Sequence, residues 1–345
     1  MTQEDYLQIL RNYSGPPVRI MEVCGTHTHE IFRLGIRSLL PENMELVSGP
    51  GCPVCVTPPG YIDSAVVLAL QHHAVIATFG DLIRVPGSHG SLADARRQGA
   101  ELKTVYSPLD AVALAQSNPD KQVVFLAVGF ETTTPSACLA VKKAQAAGLD
   151  NFSILCANKT MPEAYKALKG SADAFLYPGH VHAIIGTGLC QELYRQGVSG
   201  VVAGFTADAL IMAMAVIAEN LESGKVFFEN CYPKVVKAEG NPAAQKLLAD
   251  MMEPCDCTWR GLGVIPGSGL QLRQEFARFD AVHKFGLTPD DGQVNSACRC
   301  GEILRGDCKP CDCPLFGKVC TPLHPVGACM VSGEGACSAF YQYNC

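Results

Sequence analysis

Between Val18 and about Asn220 the chain repeats one pattern: a short apolar run, a break, then a stretch with Ala, Leu, Glu and Lys at helical spacing. The apolar runs fall at 18–24, 45–48, 74–79, 102–106, 123–128, 152–157, 174–177 and 200–205. Each is short and continuous rather than alternating, which predicts a strand buried on both faces. The intervening stretches 61–71, 108–116, 135–147, 161–169 and 209–222 read as helices. Strand and helix units in alternation demand parallel sheets, because a parallel neighbour is reached only through a crossover.

Eight strands could close into one barrel. The short helices and a break near Gly129-Phe130 favour an α/β chain of two consecutive doubly wound, Rossmann-like parallel-sheet domains over 16–121 and 122–235. After Asn220 the alternation stops, and a helix at 242–252 leads into a Gly- and Pro-rich stretch at 261–269. A third, smaller domain is expected over 236–345, irregular and mainly helical, with 1–15 a candidate addition to it.

A chain of 345 residues buries enough surface to fold without covalent staples, so its 18 cysteines call for a chemical explanation. Nine of them crowd into the last 48 residues: Cys298, Cys300, Cys308, Cys311, Cys313, Cys320, Cys329, Cys337 and Cys345. The N-terminus is acidic where a secretory signal would be basic, which points to the cytoplasm and reduced thiols. Turns at Arg305-Gly306-Asp307 and Pro314-Leu315-Phe316-Gly317 would let a loop wrap a 4Fe-4S cubane. Structural zinc is the main alternative, although its usual pair of C-x2-C knuckles is missing and among these nine only Cys308-Lys-Pro-Cys311 has that spacing. Spacing alone does not choose four ligands from nine.

The first two strands end in motifs of their own, Cys24-Gly-Thr-His27-Thr-His29 and Gly49-Pro-Gly-Cys52-Pro-Val-Cys55. Ligands of open parallel sheets bind at such carboxyl ends, and helices starting near Thr28 and Tyr61 would aim N–H groups at the same crevice. Cys24, Cys52 and Cys55 are therefore expected to meet there as thiolates, a donor set for Fe, Zn or Cu(I). His27 and His29 would serve as ligands, proton carriers or hydrogen-bond donors. Three further segments follow strands: Gly129-Phe-Glu-Thr-Thr-Thr134, with the threonines expected as helix caps, Asn158-Lys-Thr160, and Pro178-Gly-His-Val-His182.

A net charge of −6 without a basic run argues against nucleic acid. The longest apolar helical stretch, 209–218, is about half of what spans a bilayer. No G-x4-G-K-[ST] loop and no C-x3-C-x2-C triplet is present.

The two N-terminal motifs, with Gly129-Phe-Glu-Thr-Thr133 and Pro178-Gly-His-Val181, resemble the HypD family of NiFe-hydrogenase maturation proteins over essentially the whole chain. The C-terminal segment is similar to that family's C-x14-C-x6-C-x16-C pattern, which falls on Cys298, Cys313, Cys320 and Cys337. The resemblance implies these four as ligands of a 4Fe-4S cluster that supplies electrons. It implies a scaffold with redox activity, rather than a turnover enzyme, on which an iron carrying two cyanides and one carbon monoxide is assembled. Its partners would be a HypC-like small chaperone and a HypE-like cyanide donor. Cys24 would be the first iron ligand, Cys52 and Cys55 further ligands or a redox pair, and His27 a neighbour. A cluster near roughly −400 mV would reduce a disulfide near −270 mV with about 6 kcal/mol for two electrons. The competing reading from the same residues is an iron-sulfur-dependent protein disulfide reductase acting through Cys52 and Cys55.

Three positions depart from the family. Gly204-Phe-Thr-Ala-Asp208 stands where Gly-Phe-Glu-Pro-x-Asp is usual, His182 where Ser is usual, and Cys255-Asp-Cys257 is an additional pair.

Overall fold

A computed structural model describes residues 1–344; Cys345 lies outside the described residues. All eight apolar runs are strands: β1 (Val18–Glu22), β2 (Met44–Ser48), β3 (Val75–Thr78), β4 (Leu102–Thr104), β5 (Val123–Gly129), β6 (Phe152–Asn158), β7 (Ala174–Pro178) and β8 (Gly200–Ala203). A short β9 (Phe228–Asn230) and a hairpin of β10 (Met252–Trp259) and β11 (Gly263–Leu272) follow.

Two parallel sheets result, one of order β2-β1-β7-β8-β9 and one of order β4-β3-β5-β6. In the first, the chain lays β2 on one side of β1 and returns to the other side with β7. In the second, β4 and β5 flank β3 in the same way. Each sheet therefore has a switch point where the winding reverses, and the carboxyl ends of the strands open a crevice there.

The strands are shared out differently from two consecutive segments. The first sheet draws β1 and β2 from the start of the chain and β7 to β9 from far downstream, and the second sheet is inserted between them. Gly129-Phe130 is no boundary: β5 pairs with β6 along its whole length, from Val123↔Phe152 to Gly129↔Asn158. A division at 121/122 would separate β4 from β5 within one sheet. The physical reason is that a strand's composition reports burial, while the choice of neighbour rests on contacts distant in sequence. Ile20, Met21 and Glu22 are buried because β2 covers one edge of β1 and β7 the other.

The region after Asn220 also differs from expectation. The helix Pro242–Met251 is present, but the Gly- and Pro-rich stretch forms most of an antiparallel hairpin. Its alternation is masked by a bulge: Cys257 pairs with Ile265 and Cys255 with Gly269, so Pro266, Gly267 and Ser268 pass opposite Asp256. Pro266 is tolerated there because the bulge asks for no ladder N–H. Trp259 anchors the hairpin, fully buried, stacked on Phe130 at 5.7 Å and donating from Nε1 to Ser268 Oγ at 2.8 Å. The cysteine-rich remainder is built of short helical turns, among them Cys300–Leu304 and Ala328–Met330, and ends in the helix Ala336–Asn344.

Because β1 needs β7 on its open edge, a fragment of residues 1–121 is expected to show no cooperative urea transition by circular dichroism, whereas the full chain shows one. A cooperative transition in the fragment would mean that the first sheet does not depend on its downstream strands.

Candidate functional site

Cys24 and Cys52 each stand just past a strand of the first sheet, as the N-cap residues of the helices Gly25–Arg33 and Pro53–Val56. The parallel register that sets Glu22 opposite Ser48 brings the two loops level. Glycine then lets them touch. A Cβ on Gly51 would lie 2.2 Å from the Cys24 nitrogen, and one on Gly25 would lie 3.2 Å from Cys52 Cβ. Gly25 N–H donates to Gly51 O at 3.0 Å, which locks the contact.

A crevice of about 550 Å³ lies beside these loops. Thr26, His29, Pro53 and Val54 line it from the two motifs, Phe79 to Leu82, Val128 and Thr133 from the switch point of the second sheet, and Ser332 to Glu334 from the C-terminal segment. Both switch points thus open onto one space. Glu334 accepts from Thr26 Oγ1 at 2.6 Å and adds negative charge beside Cys24.

The free thiols are not poised as thiolates. The amides of Thr26 and His27 do face the Cys24 sulfur, as the helix N-terminus predicts, but burial outweighs them and pushes Cys24 up to about 12. Burial raises Cys55 as well. At neutral pH a positive partner has to be supplied before Cys24 ionises.

His27 sits one helical turn after Cys24, fully buried, and burial pushes it down to about 4. Its Nε2 lies 3.0 Å from Gly204 O, a pure acceptor, so Nε2 carries the proton of a neutral ring. Nδ1 is then a buried acceptor with no partner among the described residues. His27 is thereby available as a neutral ligand or hydrogen-bond acceptor, while its N–H is already committed. His29 turns outward to Gly333 O at 3.0 Å and packs edge-on against Tyr343.

The departing motif at Gly204 keeps what His27 needs. Gly204 supplies the carbonyl, the Phe205 ring lies between His27 (4.6 Å) and His180 (4.0 Å), and Thr206 caps the helix Ala207–Glu222 through Ala209 N. His182 points away from the crevice, with Nδ1 2.8 Å from Gly186 O and Nε2 3.5 Å from Cys190 Sγ. The threonines after Phe130 do not cap by side chain; Thr134 Oγ1 donates back to Phe130 O at 2.7 Å. Glu131 is the cap here, accepting Met161 N–H at 2.8 Å from the start of the helix Met161–Ala167, and burial pushes it up to about 7.

All four cysteines of the family pattern, Cys298, Cys313, Cys320 and Cys337, line a single cavity, and Cys300 and Cys329 line it too. Its free volume is about 10 Å³, room for one water, and among the described residues no three side chains stand in ready metal geometry. A cubane would require the sulfurs to spread. The donor chemistry fits: six sulfurs converge, every described cysteine is a free thiol, and Gly327 leaves the space where a Cβ would sit 2.8 Å from Cys298 Sγ. The buried Arg260 guanidinium, held by Thr57 O at 2.8 Å, adds positive charge beside Cys298 and Cys300.

Thiols mark the way from the crevice loops to the cavity. Cys52 Sγ accepts Cys55 N–H at 3.3 Å, Cys55 stands beside Cys329, Cys329 Sγ lies 2.7 Å from Cys300 Sγ, and Cys300 stands beside Cys298. Cys329 is shifted down by the neighbouring Cys300 and Cys55 thiols. Glu334, Arg260, Cys300 and Cys329 were not singled out from the sequence. The two cysteines were visible among nine, but nothing local marks a thiol that joins two sites.

Fold and site define a class: an α/β protein of two doubly wound sheets whose common crevice is linked by thiols to a cysteine-lined C-terminal cavity. The family described as "HypD: Hydrogenase formation hypA family" matches residues 2–344. The chain is 45% identical over 337 residues to the hydrogenase maturation factor HypD of Azotobacter vinelandii, covering 94% of this chain and 89% of that protein. It is 45% identical over 338 residues to the same-named protein of Escherichia coli K12, with 95% and 89% covered. Against a putative hydrogenase expression/formation protein of Methanocaldococcus jannaschii it is 43% identical over 333 residues, with 94% and 92% covered. The chain belongs to the HypD family.

Glu131 gives the site a pH dependence. Its folded value near 7 lies above the ordinary 4.5, so between them the folded state holds a proton that the unfolded state releases. Its contribution is favourable at low pH and is lost as pH rises through about 7. Relative to Glu131→Gln, which keeps an acceptor for Met161 N–H, the native chain is expected to lose up to about 3 kcal/mol between about pH 5 and about pH 8 in urea titrations. Parallel pH profiles would show that the carboxyl is not buried neutral.

Proposed function

We propose that this chain is a hydrogenase maturation factor that holds an iron, its substrate, at Cys24 with Cys52 and Cys55 while two cyanides and one carbon monoxide are installed. On this reading it works in the cytoplasm with a HypC-like chaperone and a HypE-like cyanide donor. A 4Fe-4S cluster held by Cys298, Cys313, Cys320 and Cys337 would supply electrons one at a time. The observation that carries the reading is the file of neighbouring cysteines from Cys52 through Cys55, Cys329 and Cys300 to Cys298, with Cys329 and Cys300 in direct sulfur contact at 2.7 Å. Membership of a family whose curated relatives are named hydrogenase maturation factors supports it.

The chain's own residues have defined work in this scheme. Cys24, pushed up to about 12, stays protonated until a soft cation displaces the proton, so metal loading and proton release occur together. His27 Nδ1, a buried acceptor without a partner among the described residues, is free to accept a hydrogen bond or to join a metal as a neutral ligand, while burial keeps the ring from taking the proton itself. Cys52 and Cys55, when oxidised to a disulfide, are returned to two thiols by two electrons and two protons. Cys329 and Cys300, in the cavity wall on the side of Cys55, would serve as the relay.

Infrared spectroscopy of the anaerobic complex with its partners tests the iron site, since metal-bound cyanide and carbon monoxide absorb where proteins do not. The bands are expected to vanish in Cys24→Ala; their persistence would remove Cys24 as a ligand. A second experiment separates supply from relay. Cys329→Ser is expected to retain about four irons with acid-labile sulfide yet fail to re-reduce an oxidised Cys52–Cys55 pair. Zinc without sulfide would sink both iron readings. The disulfide-reductase alternative draws on the same Cys52 and Cys55, and turnover of a generic protein disulfide, lost in Cys52→Ser, would favour it.

A further inference from the structure

The hairpin β10–β11 carries two half-buried cysteines outside the sulfur line, Cys255 and Cys257. The register shift between them forms a bulge, and Gly269 across the hairpin leaves room for both. A Cβ on Gly269 would sit 2.6 Å from Cys257 Cβ and 2.9 Å from Cys255 Sγ, so the two side chains turn into the same space.

Lys159, just past β6, is driven into this hairpin. It is 1% exposed, its backbone bridges to Gly269, and its Nζ donates to Cys257 Sγ at 2.7 Å and to Thr258 O at 3.0 Å. The Trp259 ring lies 5.7 Å from the same nitrogen. A buried lysine amine ordinarily faces a carboxylate. Here the only side-chain hydrogen-bond partner among the described residues is a sulfur. An ammonium so held steadies negative charge as it develops on that sulfur. Cys255 has no such contact, and burial pushes it up to about 11, which leaves it a waiting thiol.

We propose that Cys257 is a nucleophilic thiol assisted by Lys159, with Cys255 as its resolving partner, forming a dithiol–disulfide couple that reacts with small-molecule disulfides independently of the C-terminal cavity. In the first step the Cys257 sulfur attacks one sulfur of R–S–S–R. The S–S bond breaks, a mixed disulfide forms on Cys257, and the proton lost by the Cys257 thiol goes to the departing RS⁻, with the Lys159 ammonium steadying the charge on sulfur meanwhile. In the second step Cys255 attacks the Cys257 sulfur, closes the protein disulfide and releases a second RSH with its own proton. Two protein thiols lose two electrons, and one small disulfide becomes two thiols. The reading goes beyond hydrogenase maturation and stands or falls separately from it.

The test uses the reduced full-length protein, treated anaerobically with oxidised glutathione, alkylated at intervals and digested with trypsin. Peptide 247–260 contains Cys255 and Cys257 and no other cysteine, so mass spectrometry reads the couple in isolation. The peptide is expected to lose two hydrogens and resist alkylation. Cys255→Ala should trap a glutathione adduct on Cys257, and Cys257→Ala should leave Cys255 free to alkylate. Lys159→Met should slow the reaction by about tenfold or more, with Lys159→Arg restoring part of the rate. A peptide that stays dithiol, glutathionylation of Cys255 at the native rate in Cys257→Ala, or an unchanged rate in folded Lys159→Met would each overturn the proposal. Should Lys159→Met fail to fold by circular dichroism, the two cysteine variants decide.

Discussion

The site depends on one close approach, the backbone of the Cys24 loop resting on the backbone of the Cys52 loop at Gly25 and Gly51. Register makes the ends of β1 and β2 level, but level strands alone would leave their side chains several ångströms apart. Removing two Cβ atoms closes that gap and allows the Gly25–Gly51 hydrogen bond. The C-terminal segment then packs over the same point, because Gly25 also leaves room for Glu334, whose Cβ would stand 2.7 Å from any side chain placed there. The Cys24 loop, the Cys52 loop and the segment at Glu334, from three distant stretches of chain, thus meet where no single stretch could bring them together.

Convergence excludes water, and exclusion of water sets the chemistry. The helix N-termini at Cys24 and Cys52 offer partial positive charge, yet desolvation prevails at Cys24 and Cys55. The outcome is a set of neutral, quiescent sulfurs with a neutral imidazole beside them. A soft cation changes the balance at once, since it brings the charge that the crevice lacks and bonds directly to sulfur. At the far end of the sulfur line one thiol differs. Cys329 is lowered by the neighbouring Cys300 and Cys55 thiols, and Arg260 stands beside Cys298 and Cys300. Cys298, Cys300 and Cys337 nonetheless remain raised, so the cavity too calls for a cation before those thiols ionise.

Much of this was legible in the sequence, and the limits follow from the range of the interactions. Every one of the strands β1 to β8 is visible as an apolar run, because burial on both faces is written into composition locally. Their partners are not, because Ile20 looks the same whether β7 or an adjacent unit covers it. The hairpin is hidden where the Cys255/Cys257 bulge and Pro266 break the alternation that marks a strand. The motif cysteines are readable from unusual spacing, and the cavity gathers the four that the family pattern selects. Cys300 and Cys329 carry no spacing signal, and Glu334 is a lone acid in a run of small residues. The neutral state of Cys24 runs against the local rule, since a helix N-terminus is a sequence-local feature and desolvation is a property of the assembled fold.

The insertion of one sheet inside the other also sets an order of events during synthesis. The Cys24 and Cys52 loops leave the ribosome before β7 and β8, which follow only after the whole second sheet, and Cys329 and Glu334 come later still. For most of translation the two motif loops are a half-built nest open to solvent. The residues that seal it arrive together with those that line the cysteine cavity, so closure of the crevice and completion of that cavity are a single late act of folding.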